Sequence, residues 1–292
     1  MIGKTALISG AGGALGREMA VALHGAGYRV FAGMRDPDRR NQEQAAALRA
    51  AAPIDVVALD VTCAESVRDA VQTITREAGG VSVLVNNAGR MSSGVTEAFA
   101  IEQARADYEV NFFGALRLTL GCLPGMRPQR GGAVVFVSSV AASVPYPFHA
   151  HYNGSKLALE ALAETLRLEL SAFSIDSLIL QPGPFPSGLS AAGPSPTLHD
   201  IEAQYGDAAK IPARLRQWTA TFNDGPWAQD ARLAGEALVA LLARPYGTRP
   251  HRTIVGAIDY GAPAVNLARE QAQAALLAAW GLNRLAPRTE QN

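Results

Sequence analysis

The chain has 292 residues, 48% of them hydrophobic and 18% charged, which is enough apolar material for one large core and too much for a disordered chain. Lys plus Arg number 26 and Asp plus Glu also number 26, so no summed field draws the protein to nucleic acid or to an anionic membrane, and neither is expected as a partner. Cys63 and Cys122 lack the short spacing of a metal or redox site and read as packing residues in a reducing, cytoplasmic setting, with no metal expected.

Short runs rich in Val, Ile and Leu predict strands at 5–9, 29–32, 55–59, 82–86, 133–138, 175–180 and 253–255. The first runs straight into a glycine turn, unlike a signal peptide, and no apolar run is long enough to span a bilayer. Most of these runs are continuously apolar, the mark of strands covered on both faces. Helical periodicity lies between them near 14–26, 39–51, 63–78, 98–123, 153–172 and 229–243. This βα alternation predicts an α/β fold, a Rossmann-type doubly wound parallel sheet of about seven strands in a single domain over 1–292. A Pro- and Gly-rich stretch follows the sixth strand, and its length marks 188–227 as a substrate-binding loop or lid. Residues 261–292 read as a C-terminal helix and a polar tail.

The first strand ends in Ser9-Gly10-Ala11-Gly12-Gly13-Ala14-Leu15-Gly16 and a helix follows. A glycine turn in this context lets backbone approach a pyrophosphate, and the helix N-terminus offers N–H groups and a positive dipole end. The spacing Gly10-x-x-x-Ala14-x-Gly16 resembles that of the short-chain dehydrogenase/reductase family, with Ala14 at the family's middle glycine. Leu59-Asp60-Val61 matches the family's adenine-contacting aspartate, and Asn86-Asn87-Ala88-Gly89 matches the fourth-strand motif that lies under the cofactor. The resemblance thus implies cofactor contacts from Ser9, Gly10, Gly12, Gly13, Leu15, Gly16, Asp60, Val61, Asn87, Ala88 and Gly89; Asp60 could equally cap the helix from Cys63. Where an acid would bond the ribose hydroxyls of NAD, the second strand ends in Met34-Arg35-Asp36. The Arg35 fork suits a 2′-phosphate, with Arg39 or Arg40 assisting, so NADP(H) is expected, and NAD(H) is the alternative if Asp36 turns inward.

Tyr152 and Lys156 stand four residues apart, on one face of a helix. An ammonium beside a phenol favours phenolate and is expected to lower its pKa. Ser139 ends the fifth strand thirteen residues upstream, at the carboxyl edge where doubly wound sheets bind ligands. Similarity to the family implies that Ser139 bonds the substrate oxygen and Tyr152 moves its proton. It also implies that Lys156 binds the nicotinamide ribose and tunes Tyr152, while Asn111 holds a relay water. Alternation along the strand makes Ser138 the structural serine. Pro182-Gly183-Pro184-Phe185-Pro186-Ser187 resembles the segment beside the nicotinamide carboxamide, which brings in Pro182, Gly183, Phe185 and Ser187.

The expected substrate wall is apolar and aromatic: Met91, Tyr146, Phe148 and His149, joined by Val144, Leu189, Tyr205, Trp218, Phe222 and Trp227. A small-molecule hydrophobic ketone or secondary alcohol suits it better than a phosphorylated sugar. Leucines spread over more than one face of the helix from Ser155, so a homodimer or homotetramer is expected unless the C-terminal helix covers that surface. Two competing readings are a non-catalytic dinucleotide-sensing regulator, which would not need the Tyr/Lys pair, and a sugar-nucleotide epimerase, which would need a larger C-terminal domain.

Overall fold

The computed structural model describes residues 4–185, 188–189, 193–221 and 229–285. Its strands are β1 (Thr5–Ser9), β2 (Arg29–Met34), β3 (Asp55–Ala58), β4 (Val83–Asn86), β5 (Ala133–Val137), β6 (Asp176–Pro182) and β7 (Arg252–Val255). All pair in parallel in the order β3-β2-β1-β4-β5-β6-β7. Successive residues face opposite sides, so Ala6 and Ile8 join one apolar cluster and Leu7 the other. The first cluster is completed by α1 (Ala14–Gly25), α2 (Gln42–Ala51) and α9 (Arg232–Ala243). The second is completed by α3 (Ala64–Ala78), α5 (Ala115–Met126) and α6 (Ala150–Glu169). Chain order reverses between β1 and β4, which opens a crevice above their carboxyl ends.

Three differences from the expected elements bear on function. The single helix read over 98–123 is interrupted: α4 (Ile101–Tyr108) passes through a π-helical turn, Glu109–Gly114, into α5. The wider turn inserts a residue into the ladder and carries Asn111 inward, where it is 1% exposed; apolar periodicity has no signal for such an insertion. Helix α6 starts at Ala150, a few residues early, so Tyr152 sits in its first turn. The stretch after β6 is partly helical, with α7 (His199–Gln204) and α8 (Ile211–Thr221).

The last helix, α10 (Ala262–Ala279), follows β7, while the polar end at 289–292 lies outside the described residues. No helix among the described residues is long and apolar enough to cross a membrane. The surface carries Phe113, Leu120 and Leu157 at 47%, 56% and 45% exposure.

Candidate active site

A cleft of about 610 Å³ runs over the carboxyl edge of the sheet, from the end of β2 to the first turns of α6. At its near end the glycine turn divides by role. A methyl on Gly10, where φ is +67°, would lie 2.8 Å from the Ala88 Cα, and one on Gly16 would lie 2.6 Å from the Gly10 carbonyl, so packing against the protein itself requires both. Gly12 and Gly13 meet nothing closer than 3.6 Å. Their bare backbone borders the cleft at the start of α1, whose N-cap Gly13 has no side-chain cap and whose first turn holds no acid. Such a helix end suits a diphosphate.

Around this turn the cleft is bordered by Gly10, Gly12, Gly13, Leu15, Gly16, Arg35, Asp60, Val61, Asn87, Ala88 and Gly89, all expected from the sequence. Ser9 is a correction. Its side chain is buried and accepts hydrogen bonds from the backbone N–H groups of Asn87 and Ala88, both at 3.1 Å, so it joins β1 to the turn after β4 instead of reaching the cleft. Asp60 borders the cleft without capping α3. Its Oδ1 accepts from the Thr62 N–H and hydroxyl at 2.9 and 2.7 Å, while the N-cap is Cys63. Beyond β2, Arg35, Arg40 and Asn41 reach the cleft and Asp36 does not. Asp36 takes a left-handed φ of 42°, and its carbonyl accepts from the N–H groups of Arg39 and Asn41, which folds the loop so that Arg40 returns toward Arg35.

At the far end Ser139, Tyr152 and Lys156 border the same cleft, each 5% exposed or less. Strand β5 ends at Val137 and extended backbone carries Ser139, whose Oγ accepts from the Ala141 N–H at 3.1 Å. Lys156 donates to the Val137 carbonyl at 2.8 Å and stands 5.8 Å from the centroid of the Tyr152 ring. Burial pushes the Tyr152 phenol up to about 12 against the lowering effect of the Ser139 hydroxyl, and Asp107 adds to the rise. This is the reverse of the lowering expected from Lys156, because burial sets the direction. Lys156 itself is pulled down to about 8 by burial, opposed by the Glu160 carboxylate.

Asn111 braces this end. Its Oδ1 accepts from the Arg90 N–H at 2.8 Å, and its Nδ2 donates to the Arg90 carbonyl and to Ser155 Oγ, each at 2.8 Å. Ser138, read as structural, also borders the cleft, and its buried Oγ has no hydrogen-bond partner among the described residues. Pro182, Gly183 and Phe185 form the floor beyond β6, while Ser187 lies outside the described residues.

Of the expected substrate wall, only Met91 and Leu189 among the described residues border the cleft, with Gly193 and Pro194 beside them. Phe148 takes a left-handed φ of 61° and its carbonyl accepts from the Gly94 N–H at 2.9 Å, a turn that directs the chain into α6. His149 is the N-cap residue of α6, buried, with Nδ1 2.7 Å from the Pro147 carbonyl; burial holds its pKa below the usual imidazole range. Tyr146 does not border the cleft, yet its buried hydroxyl feels Ser139 and Tyr152 and has no hydrogen-bond partner among the described residues. Tyr205 and Trp218 are 41% and 51% exposed, and the Tyr205 hydroxyl donates to Glu97 at 2.6 Å. Phe222 and Trp227 lie outside the described residues.

Arg90 opens a segment, 90–93, expected to face the substrate, but its partner was not foreseen. It borders the cleft and pairs with Asp107 at 3.0 Å, a wholly buried carboxylate that also accepts from the Ser92 N–H at 3.2 Å. Seventeen positions separate the two partners, too far for any local motif. No group of three or more residues suited to a metal ion occurs among the described residues.

Residues 4–195 match the model of the short chain dehydrogenase family. The chain is 39% identical over 185 residues to retinol dehydrogenase 8 of Homo sapiens, a match covering 62% of this chain and 58% of that protein. It is 30% identical over 250 residues to the 3-ketodihydrosphingosine reductase of Bacteroides thetaiotaomicron, covering 86% and 87% of the two chains. Among solved structures, a short-chain dehydrogenase of Streptomyces avermitilis superposes with a TM-score of 0.76 at 29% identity, covering 95% of this chain and 97% of that one.

Proposed function

The chain belongs to the short-chain dehydrogenase/reductase family, and from that premise we propose an NADP-preferring oxidoreductase that exchanges a hydride with the carbonyl or alcohol carbon of a hydrophobic ketone or secondary alcohol. The observation that carries this reading is that Ser139, Tyr152 and Lys156 share one cleft with a glycine turn at an uncapped helix N-terminus. A bound nicotinamide supplies or accepts the hydride at its C4. The Gly12, Gly13 and Leu15 backbone would hold its diphosphate, and Asp60, Val61, Asn87, Ala88 and Gly89 would supply further contacts to it. Arg35 and Arg40 take the 2′-phosphate that distinguishes NADP, a fork-shaped donor being matched to a phosphate dianion.

At the reacting end the Ser139 hydroxyl donates to the carbonyl oxygen and polarises it. Tyr152, with its phenol held near 12, is protonated at neutral pH and is ready to deliver its proton to that oxygen as hydride arrives at carbon. Lys156 binds the ribose hydroxyls and holds positive charge beside the phenol, which stabilises the anion left after proton delivery. Asn111 fixes the Arg90 backbone and Ser155 around Lys156. A water on its carboxamide would connect Lys156 to solvent.

The pH dependence follows from Lys156. Its ammonium is present below about 8 and lost above, so kcat for reduction falls about tenfold per pH unit on the alkaline side. In Lys156→Arg the level is lower and that limb disappears below pH about 10, because guanidinium keeps its charge; a limb that stays in place would assign the titration to another group.

Met91, Phe185, Leu189 and Pro194 make the mouth of the cleft apolar. These walls accept a bulky hydrophobic substrate, and the paired Arg90 leaves no cationic cluster for a phosphorylated one. The exposed Phe113, Leu120 and Leu157 form the face on which a second copy packs, giving a homodimer or homotetramer. The protein works in the cytoplasm with its cysteines reduced. NADPH consumption followed with a panel of aryl, cyclic and long-chain ketones tests the proposal. Turnover is expected with the apolar members; tight NADPH binding without oxidation across the panel would identify a sensor instead.

A further inference from the structure

We propose that Asn266, on α10, is a positioning residue for hydride transfer that ties together the three segments carrying Ser139, Lys156 and the Pro182-Gly183 turn; the inference rests on the reductase reading above. Asn266 is 7% exposed and works with both ends of its amide. Its Oδ1 accepts from the Ser143 hydroxyl at 2.8 Å, and its Nδ2 donates to Gln181 Oε1 at 2.6 Å. The Gln181 Nε2 donates in turn to Glu160 Oε1 at 2.8 Å and to Ser143 Oγ at 3.1 Å. Glu160, wholly buried, is paired through Oε2 with Arg269 of α10 at 3.1 Å and Arg252 of β7 at 3.4 Å.

Three partners of this network lie within four positions of a residue of the site. Ser143 closes the short turn that Ser139 begins. Gln181 directly precedes Pro182 and Gly183. Glu160 lies one helical turn beyond Lys156 on the same face of α6, and its charge supports the ammonium. A planar amide with one acceptor and two donors sets both the distance and the angle between Ser143 and Gln181. In a buried setting such bonds are strong and an unpaired member is costly, so the network has essentially one arrangement.

The composition of α10 argues in the same direction. Among its eighteen residues only Ala262, Asn266 and Leu277 are buried, while Val265, Leu267 and Leu276 face outward. A helix retained for scaffold alone would bury an apolar stripe. Here a buried position in the second turn is polar and bonded to the back of the active site. The helix also lies beyond residues 4–195, the part matched by the family model.

The experiment compares wild type with Asn266→Ala, Ser143→Ala, the double variant, and Leu277→Ala as a control that loosens α10 without touching the network. Steady-state kinetics are measured well below each thermal midpoint, together with NADPH dissociation constants and the fluorescence of bound NADPH. Asn266→Ala is expected to lower kcat about tenfold, since small displacements of reacting groups have large rate effects. NADPH affinity stays within about threefold, because the glycine turn and Arg35 are untouched, while emission from the bound reduced nicotinamide changes. Leu277→Ala lowers the thermal midpoint comparably and leaves kcat within about twofold, and the double variant is no slower than Asn266→Ala because both act on one unit.

An Asn266→Ala enzyme with wild-type kcat overturns the inference, as does a loss matched by Leu277→Ala. Should wild type reduce no ketone at all, the reductase reading fails separately. The fluorescence of bound NADPH then decides on Asn266 by itself: altered emission in Asn266→Ala supports the positioning role, and unaltered emission overturns it.

Discussion

Tyr152→Phe is expected to lower kcat for ketone reduction by about two to four orders of magnitude while NADPH affinity stays within about threefold, as read by steady-state kinetics and by NADPH fluorescence titration. The phenol is the group to which the proposal assigns proton delivery to a carbonyl oxygen. The Ser139 hydroxyl is a weaker acid, and the Lys156 ammonium, though the stronger acid at about 8, is held at the Val137 carbonyl. Phe keeps the ring, its packing in the first turn of α6 and its place over Lys156, so the change removes a proton donor and little else. Stability is not at stake, because Ser139 retains its bond from the Ala141 N–H. A Tyr152→Phe enzyme with more than about a tenth of wild-type kcat would remove Tyr152 from the proton-transfer step.

The paired substitution Arg35→Ala with Arg40→Ala is expected to weaken NADPH binding about a hundredfold and to change NADH binding by less than about threefold. Charge-assisted hydrogen bonds to a dianion are each worth roughly 1.5–3 kcal/mol. Both side chains belong to exposed residues, so screening reduces that range and the selective loss should shrink as salt is added. Each single variant should show part of the effect. An equal loss for both cofactors would mean that the two arginines support the loop after β2 rather than a phosphate, and would favour the NAD reading.

The parts of the site that were legible beforehand are those in which chemistry and local chain geometry coincide. The glycine turn is one such part, since a continuously apolar strand, close-approach glycines and a helix start follow each other without interruption. Tyr152 and Lys156 are another, because one helical turn separates them, and Ser139 is found from the end of β5. The parts that were misread depend on turns or on contacts distant in sequence. Phe148 and His149 were read as substrate wall on aromatic character, but a left-handed residue and an N-cap turn both toward the backbone.

Tyr152 shows the limit of reading a pair by charge alone. Lys156 stands beside the phenol, yet both are so buried that desolvation sets the direction for each. The π-helical turn that buries Asn111, the Arg90–Asp107 pair and the Asn266 network have no local signature. Each needs the register between elements that only the folded sheet defines.

The most direct test of hydride exchange at this site is to follow isotope from NADPH carrying deuterium at the nicotinamide C4 into the product alcohol. Wild-type protein is incubated with a hydrophobic ketone and deuterated NADPH, separately for each face of C4, and the alcohol is weighed by mass spectrometry. The account predicts one deuterium on the carbinol carbon from one face alone, and labelling slowed about a hundredfold or more with Tyr152→Phe. Bound NADPH that never passes deuterium to any ketone of the panel would contradict it.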